Sequence, residues 1–143
     1  MSKQTIIATH TFLAEGFKEA FTFLVGENNI YTIAAYTQDT MPERTLTALL
    51  DRFEQNDTVV ILTDLKGGSV NQFTANLLQK YHFYLVTGIN LGLVLEIALL
   101  PEECINDDSI RHAVSSARND LIYMNDELNY LDEEVNDESA FFE

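Results

Sequence analysis

Four apolar runs, each followed by a stretch of helical spacing, constrain this chain more than any other feature. Thr5-Ile6-Ile7-Ala8-Thr9 is the first. Its unbroken apolar character predicts burial on both faces, as in a parallel sheet. Leu13, Phe17, Ala20, Phe21 and Leu24 follow at helical spacing, with Gly26 as the C-terminal cap. Ile30 to Tyr36 is the second strand, rich in β-branched and aromatic types. Thr40-Met41-Pro42-Glu43 then reads as a helix start, with Thr40 as N-cap, Glu43 closing a capping box and Pro42 in the first turn. Leu46, Leu49, Leu50 and Phe53 form the apolar stripe of that helix.

Thr58 to Leu62 is the third strand, and Thr63-Asp64 follows its end. Gly67-Gly68-Ser69 opens a helix with Val70, Phe73 and Leu77 inward. Phe83 to Thr87 is the fourth strand, and Gly88-Ile89-Asn90 turns into a helix over Leu91 to Leu99. That helix is apolar on nearly every side, so it lies deep in the core or in a subunit interface. Asp107-Asp108-Ser109 caps a last helix, and Leu121 to Met124 reads as a short edge strand.

Strand–helix units repeated four times predict an α/β fold, a doubly wound, mainly parallel four-stranded sheet with helices on both faces. Right-handed crossovers and the order 2-1-3-4 make strands 1 and 3 neighbours. Ligands of such sheets sit at the carboxyl ends of strands, where the winding direction reverses. His10 ends strand 1 and Asp64 ends strand 3, so this topology brings the two together.

The totals exclude several function classes. At 143 residues the chain predicts one domain over residues 1–125, followed by an acidic tail over 126–143. That tail holds eight acids and neither Lys nor Arg, and its ordinary reading is a solvated end that aids solubility. The net charge of −15, with eight scattered Lys and Arg, argues against nucleic acid as a partner and for a basic protein. One cysteine, Cys104, allows no disulfide within the chain. The N-terminus has no basic region followed by an apolar core, which predicts a cytoplasmic protein.

A histidine beside a carboxylate carries specific chemistry. The carboxylate accepts a hydrogen bond from one ring nitrogen and fixes the tautomer. The other nitrogen keeps its lone pair and can attack phosphorus. Gly67 and Gly68 let backbone approach an anion, and the helix start presents N–H groups and positive dipole to phosphoryl oxygens. Ser69 adds a hydroxyl donor, and Lys66 screens charge nearby. Each part also has an ordinary reading: a histidine after a strand is commonly a turn residue, Asp64 a cap, and Gly-Gly-Ser a turn. Their conjunction at two adjacent strand ends favours a site. His82 falls at the opposite end of the sheet, His112 on a solvated helix face, and Cys104 in the core or a loop. The Gly-Gly-Ser turn lacks the spacing and lysine of a nucleotide-binding loop, so ATP use is not indicated.

Three motifs in order carry a family resemblance. Ile7-Ala8-Thr9-His10 with Leu13-Ala14-Glu15-Gly16 is the first. Asp64-Leu65-Lys66-Gly67-Gly68-Ser69 with Asn71 is the second, and Gly88-Ile89-Asn90-Leu91 with Leu93 to Glu96 the third. Over roughly residues 5 to 125 the chain resembles the mannose-, fructose- and sorbose-family enzyme IIA of the bacterial phosphoenolpyruvate-dependent sugar phosphotransferase system. The resemblance implies a homodimer, with the Leu121–Met124 strand exchanged between subunits. It implies that His10 takes a phosphoryl group from phospho-HPr and passes it to an enzyme IIB, which works with the membrane components IIC and IID. It makes Asp64 the orienting partner and Gly67, Gly68 and Ser69 the phosphate-proximal turn. No metal or other cofactor is required in principle, because the donor phosphohistidine is already activated.

Four positions mark departures from or variants on the pattern. Thr11 stands where glycine is expected after the histidine, Ala8 is the small residue two before it, and Val70 and Gly92 stand where proline is expected. Thr11 bears on partner fit more than on chemistry. Two other functions share the residues: the phosphocarrier of a dihydroxyacetone kinase, also using His10, and a non-catalytic regulatory module that holds an anion at the Gly-Gly-Ser turn.

Overall fold

The computed structural model describes residues 2–128. Most of the expected acidic tail, residues 129–143, therefore lies outside the described residues. The strands are β1 (Lys3–His10), β2 (Tyr31–Ala35), β3 (Thr58–Thr63) and β4 (Tyr84–Thr87). The helices are α1 (Leu13–Val25), α2 (Pro42–Arg52), α3 (Ser69–Asn76), α4 (Leu91–Leu99) and α5 (Asp107–Arg118). All strand pairs are parallel and the order is β2-β1-β3-β4, as the strand–helix alternation predicts.

Period-two alternation divides the core between the two faces of the sheet. Ile7, Val60, Leu62 and Val86 point to one face, where α1, α4 and α5 supply Phe21, Leu93, Val94, Ile97 and Ala113. Ile6, Ala8, Ile33, Val59 and Ile61 point to the other, where α2 and α3 supply Leu46, Leu50 and Val70. Both faces of β1 and β3 are buried, which is why those runs are apolar without a break. Each fully buried Ile or Leu contributes about 2 kcal/mol of transfer free energy, so the central strands are the rigid base of whatever their ends carry. The nearly all-apolar α4 is a core helix on Leu93, Val94 and Ile97, while Leu99 stays exposed. No helix among the described residues is long and apolar enough to cross a membrane.

Three local expectations are corrected. Thr40 does not cap α2: the N-cap is Met41, without a side-chain cap bond. The chain turns back after β2 through Tyr36 N–H to Asp39 O (3.2 Å), so Asp39 Oδ1 takes the Met41 N–H instead (3.1 Å). For α5 the N-cap is Asn106, which makes a reciprocal capping box with Ser109. The expected edge strand is absent from this chain's own sheet: residues 121–123 have no regular structure and 124–128 are helical. The Asp120 carboxylate abuts Gly92 at the start of α4, so the chain emerges from α5 at the carboxyl end of β4 and turns into helix rather than running back along that strand. Gly92 also has its own explanation there, since a Cβ would overlap that carboxylate, which the N-terminal dipole of α4 favours. Gly26 does cap α1, at φ 120°.

Asp57 ties the N-terminus to the start of β3. Its carboxylate accepts from Ser2 N (3.0 Å), Ser2 Oγ (2.9 Å), Gln4 Nε2 (3.2 Å) and Glu54 N (3.0 Å). Desolvation pushes its pKa up, but these donors outweigh it and hold the group below its ordinary 3.8. A lowered carboxyl pKa means that the unfolded chain binds the proton first. The contribution is therefore present above pH 3.8 and is lost as pH falls through the folded-state value. Asp57→Asn is expected to flatten the fall in melting temperature below pH 3.8; equal acid slopes in the two proteins would remove Asp57 from acid unfolding.

Candidate functional site

The sheet register sets the site. Ala8 pairs with Thr63 and His10 with Ala35, so His10 and Asp64 leave neighbouring strands at the same level. The His10 backbone N–H donates to Asp64 Oδ2 at 3.0 Å. The ring Nδ1 lies 3.0 Å from the same oxygen and 3.2 Å from Oδ1. An ionised carboxylate only accepts, so Nδ1 carries the proton in this pair and Nε2 keeps its lone pair. The Asp64 side chain is 12% exposed and that of His10 36%, so the carboxylate is shielded while the ring still reaches solvent.

The Gly-Gly-Ser turn closes one side. Gly67 has φ 77°, the left-handed conformation that glycine adopts without strain. Gly68 is the N-cap of α3, and no side chain caps that end. The first N–H groups of α3 are thus open to an anion. A Cβ on Gly68 would stand 3.0 Å from His10 Cε1 and 3.1 Å from Leu65 O, so glycine lets the ring lie against the turn. The Leu65 carbonyl is backbone, already bonded by Gly68 N–H at 3.0 Å, and cannot give way. Gly68→Ala is therefore expected to shift the imidazole off Asp64 and to lower stability by about 1 kcal/mol. Imidazole nitrogen NMR signals unchanged from wild type would refute the displacement.

Thr11 explains the glycine of the resembled pattern. It has φ 48°, and its N–H donates to Ala35 O at 2.8 Å. The turn out of β1 needs a left-handed residue, which glycine adopts freely and a β-branched residue only under strain. Thr9, one residue before the histidine, is buried and accepts from Ala14 N at 2.7 Å. It thus caps α1, whose own N-cap Phe12 has no side-chain bond.

His10, Asp64 and Gly68 are in direct apposition, and Ser69 follows at the first position of α3. Lys66 is exposed beside the turn. His82 and His112 are exposed and apart from this site, as their positions predict, and Cys104 is exposed in a short 3-10 turn. Sequence reasoning missed Tyr36. It leaves the end of β2, its ring centroid is 5.9 Å from that of His10, and its hydroxyl lies 2.6 Å from Ser69 Oγ. The strand-end rule applied to strand 2 as well as to strands 1 and 3 would have found it. Phe12, Tyr36 and Leu65, each next to a strand end at the site, are exposed apolar side chains. Of the three, Tyr36 is the one placed beside the His10 ring, and Phe12 and Leu65 add exposed apolar surface in the neighbouring strand-end turns.

The model of the family "PTS system fructose IIA component" matches residues 4–114. Among solved structures, the chain is similar to one from Klebsiella pneumoniae assigned as a permease of the phosphoenolpyruvate-dependent sugar phosphotransferase system. That match has 28% identity and a TM-score of 0.81, and covers 90% of this chain and 95% of that one. The PTS IIA protein associated with the fucose utilization operon of Streptococcus pneumoniae matches at 24% identity and TM-score 0.76, over 90% of this chain and 97% of that one. The mannose/sorbose specific IIA subunit of Enterococcus faecalis matches at 23% and 0.71, over 85% and 94%. The last two likenesses are of fold. None of the curated protein sequences matches this chain.

Proposed function

The chain belongs to the family of PTS system fructose IIA components, and on that premise we propose that it is a cytoplasmic phosphocarrier, taking a phosphoryl group from phospho-HPr on Nε2 of His10 and passing it to an enzyme IIB during sugar uptake. Phosphotransfer in the sugar phosphotransferase system follows from the family. The His10–Asp64 pair is the single observation that carries the finer reading. In the first transfer the Nε2 lone pair forms the N–P bond. The donor's N–P bond breaks, and its electron pair returns to the donor nitrogen. The phosphorylated ring is cationic while Nδ1 keeps its proton, and Asp64 stabilises that charge. The open N–H groups of α3 and the Ser69 hydroxyl receive the phosphoryl oxygens. The second transfer reverses the roles with IIB as acceptor.

The exposed apolar side chains of Phe12, Tyr36 and Leu65, each in a turn next to a strand end at the site, supply the docking surface for both partners in turn. The overall charge of −15 speeds encounter with a donor that has a basic docking face. The IIA domain spans residues 1–125, with 126–143 as an appendage. A homodimer is also part of the reading: Leu121, Ile122, Tyr123, Met124 and Leu128 are exposed apolar residues beyond α5, and among the described residues no strand lies beside the outer edge of β4. Exchange of this segment between two copies would cover both.

The test is intact-mass measurement after incubation with phosphoenolpyruvate, enzyme I and HPr. A gain of one phosphoryl group, lost on adding IIB, is the expected result. No gain would leave an anion-binding module. A charged form that IIB cannot discharge but a dihydroxyacetone kinase can would reassign the acceptor.

A further inference from the structure

We infer that Tyr36 is a positioning residue for this transfer: its phenol donates a hydrogen bond to Ser69 Oγ and thereby turns the serine's own proton toward a phosphoryl oxygen on His10. The inference rests on the proposed phosphorylation of His10. Tyr36 and Ser69 come from different elements, 33 residues apart, and their hydroxyl oxygens are 2.6 Å apart. A hydroxyl pair has two protons and one can lie between the oxygens. The phenol is the more acidic and so the better donor. With that bond made, Ser69 Oγ is an acceptor toward Tyr36, and its own O–H is left for another partner.

The location supplies that partner. Ser69 is the first residue of α3, directly after Gly68, against which the His10 ring lies. A chain from phenol to serine to phosphoryl oxygen polarises along its length, so charge developing on the phosphoryl group strengthens both bonds. The protons stay on their own oxygens, and only the N–P bonds change. Tyr36 touches no reacting atom and acts through Ser69.

The backbone argues that this placement is held for a reason. Tyr36 has φ 66°, a left-handed conformation that a bulky residue adopts only under strain. Burial does not account for it, since the side chain is 50% exposed. The polar contacts of the residue are its backbone turn to Asp39 and the hydroxyl bond to Ser69. The ring also borders a groove of about 700 Å³ between α2 and α3, lined by Met41, Pro42, Arg44, Thr47 and Phe73 among others. The ring's docking role does not require the hydroxyl, so docking alone predicts no loss of kcat in a variant that keeps the ring.

Tyr36→Phe keeps the ring and removes the hydroxyl. Phosphorylation by phospho-HPr is measured in wild type, Tyr36→Phe, Ser69→Ala and the double variant. Tyr36→Phe is expected to lower kcat about tenfold with KM unchanged, and to have no further effect in the Ser69→Ala background. A wild-type kcat in Tyr36→Phe, a change confined to KM, or a full second loss in the double variant would each overturn the inference while leaving His10 phosphorylation intact. A wild-type protein that takes no phosphoryl group would overturn both readings.

Discussion

His10→Ala takes up no phosphoryl group from phospho-HPr, a loss of at least ~10³-fold in rate, because no second imidazole stands at the site among the described residues. His82 and His112 are exposed but remote, and neither has the environment of His10. His112 has only Glu96 Oε1 at 3.9 Å, while His82 has Tyr84 as its ring neighbour. Neither lies at a strand end beside an open helix N-terminus. The fold should persist, since the His10 side chain is 36% exposed and packs on a turn rather than in the core. Removing the ring does leave Asp64 less well partnered, but its Oδ2 keeps the backbone N–H of residue 10. A stability change within about 1 kcal/mol is expected. The measurement is acid-labile phosphate on the intact protein, with circular dichroism as the folding control. Acid-labile phosphate retained by a folded His10→Ala protein would sink the assignment.

What could be read in the sequence followed from how far each inference had to reach. The apolar runs at Thr5–Thr9 and Thr58–Leu62 reflect burial on both faces, a tertiary fact that writes itself directly into residue type. With right-handed crossovers and the 2-1-3-4 order of a doubly wound sheet, strands 1 and 3 are neighbours, and that order put His10 beside Asp64. The misses lie where local pattern and tertiary geometry part. Thr40 with Glu43 is a sound capping box on paper. The turn that returns the chain from Tyr36 hands the cap bond to Asp39 instead. Leu121 to Met124 has strand-like composition, but residues 121–123 have no regular structure where the chain leaves the carboxyl end of β4, and helix begins at Met124. Tyr36 escaped notice for a further reason, whereas Thr11 stood out because the resembled pattern has glycine there. Left-handed backbone at a non-glycine residue has no signature in residue type, and both such residues among those described follow strand ends at the site. That coincidence fits strain being held where function needs a fixed geometry.

Asp64→Asn tests the tautomer directly. In the wild type Oδ2 accepts two bonds, from the His10 backbone N–H and from Nδ1, and Oδ1 lies 3.2 Å from the same ring nitrogen. An asparagine has one oxygen for these places. If it takes the Oδ2 position, its amide nitrogen faces Nδ1–H, donor against donor. If it is flipped, the amide meets the backbone N–H instead. The backbone cannot change its proton, but the ring can. The cheaper relief moves the imidazole proton to Nε2, leaving Nδ1 to accept from the amide. That places a proton on the nitrogen that must attack phosphorus. The variant also loses the negative charge that would stabilise a cationic phospho-ring. Together these are expected to slow phosphoryl uptake about 100-fold, near the upper range for a charged hydrogen bond. The fold should persist, since asparagine fills the same volume. Nitrogen NMR of the imidazole reads the tautomer, and stopped-flow transfer reads the rate. A slowed variant whose ring still carries its proton on Nδ1 would assign the loss to charge alone. An unchanged rate would remove Asp64 from the mechanism.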